Sequence, residues 1–262
     1  PSAESFRLTP FRVKARLIAE LGVDVMFALA FDAEMAKKGP QDFVMDVLVD
    51  GLAAGCVVVG GDFRFGKGRA GDVAVLAYMG EMEGFGVEVF APVLADREKI
   101  SSTHIREALK AGKPEEAARL LGHVWAVEGR VEHGDKRGRT IGFPTANMRL
   151  TDCLHPAFGI YAVRATVLEN DKPVSTHEGV ASFGIRPMFK TGEPLLETWL
   201  FDFSGDLYGR HLSVALVAYL RPEMTFDGIE ALKAQMKKDE AAARAALAAA
   251  PLSPAHVGER SG

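Results

Sequence analysis

Cysteine is scarce in this chain: two in 262 residues, Cys56 and Cys153, far apart and without metal-ligand spacing. That excludes a disulfide framework and a cysteine-built zinc site, and it predicts two buried thiols in a reducing compartment. Basic charge is not in excess either. With a net charge of −4 there is no cationic surface to neutralise a phosphate backbone, so nucleic acid is excluded as a bulk partner. No apolar run approaches membrane-spanning length, and the N-terminal residues carry no signal-peptide pattern. The expectation is a cytoplasmic protein with no membrane partner. What is present, 48% hydrophobic and 25% charged residues, is ordinary globular composition, at a length that suits one large or two modest domains.

The pattern changes near the middle of the chain. Thr9 before Pro10 reads as an N-cap with proline at the first helical position, and Gly22 closes that helix. Apolar runs at 25–31 and 56–59 read as buried strands and 87–90 as a further strand, with helices at 41–52 and 73–82 between them. Such alternation predicts a parallel α/β sheet. Ser102 or Thr103 is placed to cap a helix reaching Ala111, and 114–121 adds a short one. From Trp125 onward, segments 124–133, 159–168, 179–185, 196–203 and 211–220 alternate or carry β-branched and aromatic residues between turns, which predicts a small antiparallel barrel. An alanine-, lysine- and glutamate-rich helix over 226–249 follows, with Ile229 and Leu232 expected in the core, and 251–262 reads as a tail.

The loop 134–147 carries the strongest chemistry. Gly134, Gly138 and Gly142 are interleaved with Lys136, Arg137 and Arg139 directly after a strand-like run, and Pro144-Thr145-Ala146-Asn147 reads as the turn that closes it. Glycines let backbone N–H groups approach an anion and cations neutralise it, while a hydroxyl and an amide stand where a phosphate-bound metal could be held.

These residues resemble the flavokinase domain of the bacterial bifunctional riboflavin kinase/FAD synthetases. Gly184-Ile185-Arg186-Pro187, Leu196-Glu197-Thr198, the stretch from Phe201-Asp202-Phe203 to Asp206-Leu207-Tyr208-Gly209, and Leu220-Arg221-Pro222-Glu223 resemble that domain in order and spacing. Upstream, Gly61-Asp62-Phe63-Arg64-Phe65-Gly66 and Ile100-Ser101-Ser102-Thr103-His104-Ile105-Arg106 resemble the family's adenylyltransferase domain. The resemblance covers nearly the whole chain. It implies an incomplete Rossmann-like nucleotidylyltransferase domain over 1–121, followed by a small antiparallel flavokinase β-barrel with its C-terminal helix over 122–250.

The implied activity is ATP-dependent phosphorylation of riboflavin to FMN, in an enzyme that also adenylylates FMN to FAD. Riboflavin, FMN and ATP are the implied ligands, and Mg²⁺ the implied metal. The resemblance gives Thr145 and Asn147 to metal and phosphate, and Gly134, Lys136, Arg137, Gly138, Arg139, Gly142 and Tyr208 to ATP. It gives Arg221 to the flavin, and the base that accepts the hydroxyl proton to Glu197, with Asp202 and Asp206 as competitors. Asp62, Phe63 and Arg64 are expected to hold FMN and nucleotide, and Ser101, Ser102, Thr103 and Arg106 the ATP phosphates at a helix N-terminus. The family's His-x-Gly-His nucleotide motif does not occur in the sequence, so FAD synthesis by this chain is expected to be weak, with unpaired sheet edges where its strand would lie. A second function class, a silent flavin-binding or regulatory protein, is disfavoured by the intact Thr145, Asn147 and Glu197. Ser182, Met188 and Trp199 depart from the usual family residues, and Trp199 shares a strand face with Glu197.

Overall fold

The computed structural model describes residues 6–95, 98–133, 143–150, 152–185 and 194–250. By backbone contacts the chain forms two compact units: Val25–Ile100, and the N-terminal residues up to Asp24 together with everything from Ser101.

In the Val25–Ile100 unit, strands β1 (Cys56–Gly60) and β2 (Gly86–Phe90) pair in parallel. Helix α4 (Val73–Glu83) links them, capped by Asp72, which accepts from Val75 N–H, and ended by left-handed Gly84. A short helix α2 (Ala33–Lys37) precedes α3 (Pro40–Phe43), which runs on into a π-helical stretch, Val44–Val49, where the sequence pattern predicts one regular helix. Val44, Phe65, Leu76 and Phe85 form the core. The strand expected at 25–31 is absent: those residues have no regular structure, and Val25, Phe27, Leu29 and Phe31 are exposed, with no sheet partner to order them. Short strands β3 (Leu94–Ala95) and β4 (Glu98–Lys99) pair near the unit's end.

The other unit is built on a six-stranded antiparallel sheet, ordered β5 (Ala126–Arg130), β10 (His211–Arg221), β7 (Gly159–Glu169), β8 (Lys172–Ile185), β9 (Pro194–Leu200), β6 (Thr145–Arg149). Its edges curl together at one bridge, where Glu132 N–H donates to Asn147 O at 2.8 Å. The alternation that predicts strands survives because one side of each strand fills the interior: Met148, Phe183, Leu196, Leu212, Val214 and Leu216 are almost fully buried. The expected turn at Pro144–Asn147 is instead the start of β6, which was not expected as a strand, since Thr145 and Asn147 pair with Trp199 and Glu197 of β9. The strand expected over 196–203 stops at Leu200, because Asp202 takes a left-handed turn with φ 53°.

Helices cover the sheet from outside. Helix α7 (Ile229–Ala249) sets Ala243 and Leu247, four residues apart on one stripe, against Ala162, Phe201 and Val217. Its first turn stands clear, and Ile229 is exposed rather than core. Helix α5 (Ser102–Lys110) buries Ile105 and Leu109, and α6 (Pro114–Leu121), with proline in its first turn, buries Ala117 and Leu120. The α5 cap is Ser101, whose hydroxyl accepts from His104 N–H, so neither Ser102 nor Thr103 caps it. Helix α1 (Phe11–Glu20) belongs to this unit too. Its N-cap is Pro10 rather than Thr9, with no side-chain cap. Trp125 Nε1–H donates to Leu8 O at 2.7 Å, and Arg16 Nη2 pairs with Glu128, a carboxylate only 3% exposed. Burial alone would lower the Arg16 pKa, but the Glu128 and Glu20 charges beside it hold it above its ordinary value.

Candidate active site

Strands β6 and β9 present different chemistry on their two faces. On the outer face the register runs Asn147–Glu197–Ser182–Ile160–Arg221 across five strands. The inner row beside it runs Ala146–Thr198–Ala181–Tyr161. The outer face is identified by Trp199 and Val180, which pack against the α7 cluster. Glu197 lies on that outer face, half-buried, between Asn147 and Ser182. Trp199 sits two residues on, its ring edge-on to Phe143 at 4.7 Å and to Phe201 at 5.0 Å.

A cleft of about 270 Å³, open to solvent on one side, lies at the end of β6 and β9. Its walls include Thr145, Asn147, Thr198, Asp206 and Tyr208, with Val131 and Leu207 among the apolar ones. Asn147 is 6% exposed, yet its side-chain oxygen makes no hydrogen bond among the described residues. Thr198, 1% exposed, has an equally unpartnered hydroxyl. Each such group costs about 1–3 kcal/mol if nothing satisfies it, so a polar ligand or water entering the cleft would relieve both. Asp206 uses its carboxylate to accept from Tyr208 N–H at 3.0 Å, which shapes the turn, and the Tyr208 and His133 rings lie 4.0 Å apart. Asp202 is spoken for elsewhere: it pairs with Arg244 of α7 at 3.0 Å.

The structure thus brings Thr145, Asn147 and Tyr208 onto one cleft and sets Glu197 in register with Asn147. Gly134, Lys136, Arg137, Gly138, Arg139 and Gly142 lie outside the described residues. Arg221 ends β10 with a bidentate pair to Asp239 of α7, at 2.8 and 2.6 Å, and its guanidinium also lies over Phe226. In the Val25–Ile100 unit, Phe63 stacks on Phe65 at 5.5 Å beside the core, Asp62 sits in the turn after β1, and Arg64 pairs with Asp72 at 3.2 Å. In the other unit, Ser102 and Thr103 are exposed at the start of α5, while Arg106 Nε donates to Phe6 O at 2.7 Å. Thr198 enters the sequence analysis only as part of the Leu196-Glu197-Thr198 motif, with no role given to it; its unpartnered burial is what the structure adds. Cys153 is buried as expected, its thiol pushed up to about 12 by burial and by Asp152, but Cys56 is exposed because both faces of the two-stranded sheet carry open positions.

The riboflavin kinase family model matches residues 121–247, and the FAD synthetase model matches residues 1–104. The bifunctional riboflavin kinase/FMN adenylyltransferase of Escherichia coli K12 is 43% identical over 238 residues, covering 91% of this chain and 75% of the relative. That of Listeria monocytogenes is 42% identical over 243 residues, covering 92% and 75%. A crystal structure from Streptococcus pneumoniae, named a macrolide-efflux protein, superposes with a TM-score of 0.79 at 32% identity, covering 90% of this chain and 75% of that one. Among the described residues of this chain, no helix is long and apolar enough to cross a membrane. The kinase-matching segment contains the cleft, the buried Asn147 and the Glu197 row, and the chain belongs to the bifunctional riboflavin kinase/FMN adenylyltransferase family, whose kinase half phosphorylates riboflavin to FMN with ATP.

Proposed function

We propose that the cleft at the end of β6 and β9 takes MgATP, and that riboflavin lies along the outer face beside Glu197. The unpartnered side-chain oxygen of buried Asn147 carries this reading. It is a hard oxygen donor, adjacent on one face to the Thr145 hydroxyl, and so fits Mg²⁺, which prefers a few protein oxygens completed by water and phosphate. No cluster of His, Cys, Asp and Glu among the described residues competes as a metal site. When bound, Mg²⁺ would spread the charge of the transferring phosphoryl group.

The protein's own groups do the rest. Asn147 and Thr145 fix the phosphate end of the nucleotide, while Gly134–Gly142 with Lys136, Arg137 and Arg139 supply donors and charge. Glu197, opposite Asn147, accepts the proton of the ribityl 5′-hydroxyl as its oxygen attacks the γ-phosphorus and the bond to the β-phosphate oxygen breaks. Trp199, on the same face, closes one side against water. Tyr208 walls the nucleotide end. Arg221 serves the flavin from behind, by tying α7 to β10. In the other half-reaction, Asp62, Phe63 and Arg64 would bind FMN and nucleotide, with Ser101, Ser102, Thr103 and Arg106 on the phosphates. Two free cysteines and a net charge of −4 fit a cytoplasmic enzyme acting on small phosphorylated ligands rather than nucleic acid.

Thr145→Ala tests the division of labour. It should impair MgATP use while flavin affinity, read by fluorescence quenching without nucleotide, changes little. An equal loss of flavin binding would make Thr145 a structural residue.

A further inference from the structure

Thr198 stands apart from the metal and proton groups because it faces the other way. Thr145, Asn147 and Glu197 occupy the outer face, whereas Thr198 points with Ala146 and Ala181 into the sheet's interior. Its oxygen is shielded from water and has no hydrogen-bond partner among the described residues, although the residue lines the cleft. The flanking residues in direct register are both alanine, so the strands on either side leave room around it. Along its own strand, Leu196 and Leu200 share its face and are buried.

The neighbouring cleft wall has the character of a base pocket rather than a phosphate site. Val131, Ala146, Leu200, Phe203 and Leu207 supply apolar surface. Away from Thr145 and Asn147, which hold the phosphate end, this wall carries one charged group, Asp206, and no lysine or arginine among the described lining residues. An aromatic heterocycle with polar edge atoms satisfies both the apolar wall and a single hydroxyl, which can donate or accept.

We infer that the Thr198 hydroxyl hydrogen-bonds the purine edge of the nucleotide and sets base affinity in the kinase site. The inference rests on the cleft being the ATP site and adds the residue that reads the base. A threonine buried for packing alone would behave differently from one kept for a ligand. If the ligand supplies its missing partner, the free protein tolerates losing the hydroxyl, and nucleotide binding does not.

Thr198→Val keeps the shape and removes the hydroxyl; Thr198→Ser keeps the hydroxyl. Calorimetric titration of the full chain with ADP should show Thr198→Val binding about tenfold more weakly, the size of one lost hydrogen bond at about 1.4 kcal/mol per decade. Inorganic tripolyphosphate should bind both proteins alike. Thr198→Ser should bind ADP within about twofold of the unaltered chain, and the ligand-free Thr198→Val protein should melt no lower than it. Kinase assays should show KM for ATP rising with little change in kcat. Unchanged ADP binding by Thr198→Val overturns this inference alone. A lower melting temperature of the ligand-free variant overturns it by showing a structural role, and an equal loss towards tripolyphosphate overturns it by moving the contact to phosphate. Failure of the unaltered chain to bind ADP removes the nucleotide reading of the cleft, and this inference with it.

Discussion

Removing the Arg221 guanidinium should destabilise the kinase half severely. Arg221 and Asp239 are 16% and 8% exposed and joined by two charge-assisted bonds, and Asp239 also accepts from Gln235 at 2.9 Å. Arg221→Met strands a carboxylate on the buried stripe of α7. Breaking one side of such a pair costs about 3–5 kcal/mol, because the remaining charge has lost its partner away from water. At about 2–4 °C per kcal/mol for a domain of this size, the melting temperature should fall by roughly 6–20 °C. Arg221→Met with Asp239→Leu should recover most of that loss, since no isolated charge remains. Thermal unfolding followed by circular dichroism reads both, and flavin quenching should recover along with stability. A single variant within about 1 kcal/mol of the unaltered protein, or a double variant as unstable as the single, would show that the Arg221–Asp239 pair does not hold α7 to β10. Flavin affinity that stays lost in a stable double variant would give Arg221 a direct contact with flavin.

Three further outcomes rest on other contacts. A chain beginning at Gly122, the boundary read from sequence, should keep the six-stranded sheet but unfold at lower denaturant than one retaining 6–24 and 101–121, because Glu128 loses Arg16 and Trp125 loses the Leu8 carbonyl; equal midpoints would show that those contacts contribute nothing. His211 is held below the ordinary histidine value of 6.5 by burial and by Arg12, with Arg130 adding to this against the opposing pull of Glu128 and Asp171. The unfolded chain therefore binds this proton first, so stability should fall as pH drops through about 6.5, and His211→Gln should flatten that slope in urea titrations; an unchanged slope would remove His211 as its source. Thiol titration should label Cys56 quickly in the native protein and Cys153 only after denaturation, since its thiol is buried and pushed up to about 12; rapid labelling of both would contradict the burial.

The barrel was legible because its strands alternate, and a half-buried strand can satisfy its two environments in few other ways. Strand β6 was not, because its pairing with β9 is set by residues fifty positions away, and Pro144 in front of it reads locally as a turn. Cys56 and the exposed 25–31 segment were misjudged for the converse reason. Apolar runs predict burial only where a partner covers them, and the β1–β2 pair leaves open faces. The candidate site was readable as a set of residue types. Its division into an outer face bearing Asn147 and Glu197 and an inner face bearing Thr198 is a matter of register, and becomes visible only once β6 and β9 are paired. The Arg221–Asp239 tie joins residues on separate elements, and local sequence offers no signal for it.

We propose above that Glu197 accepts the riboflavin proton beside a nucleotide held by Asn147 and Thr145. The most direct test incubates saturating riboflavin and MgATP with the chain and with Glu197→Gln, separating FMN chromatographically over time. The unaltered chain should form FMN, and the folded variant should be slower by about 10²–10⁴, the usual contribution of a general base. Near-normal FMN formation by Glu197→Gln would contradict the proposal and remove Glu197 from the chemistry.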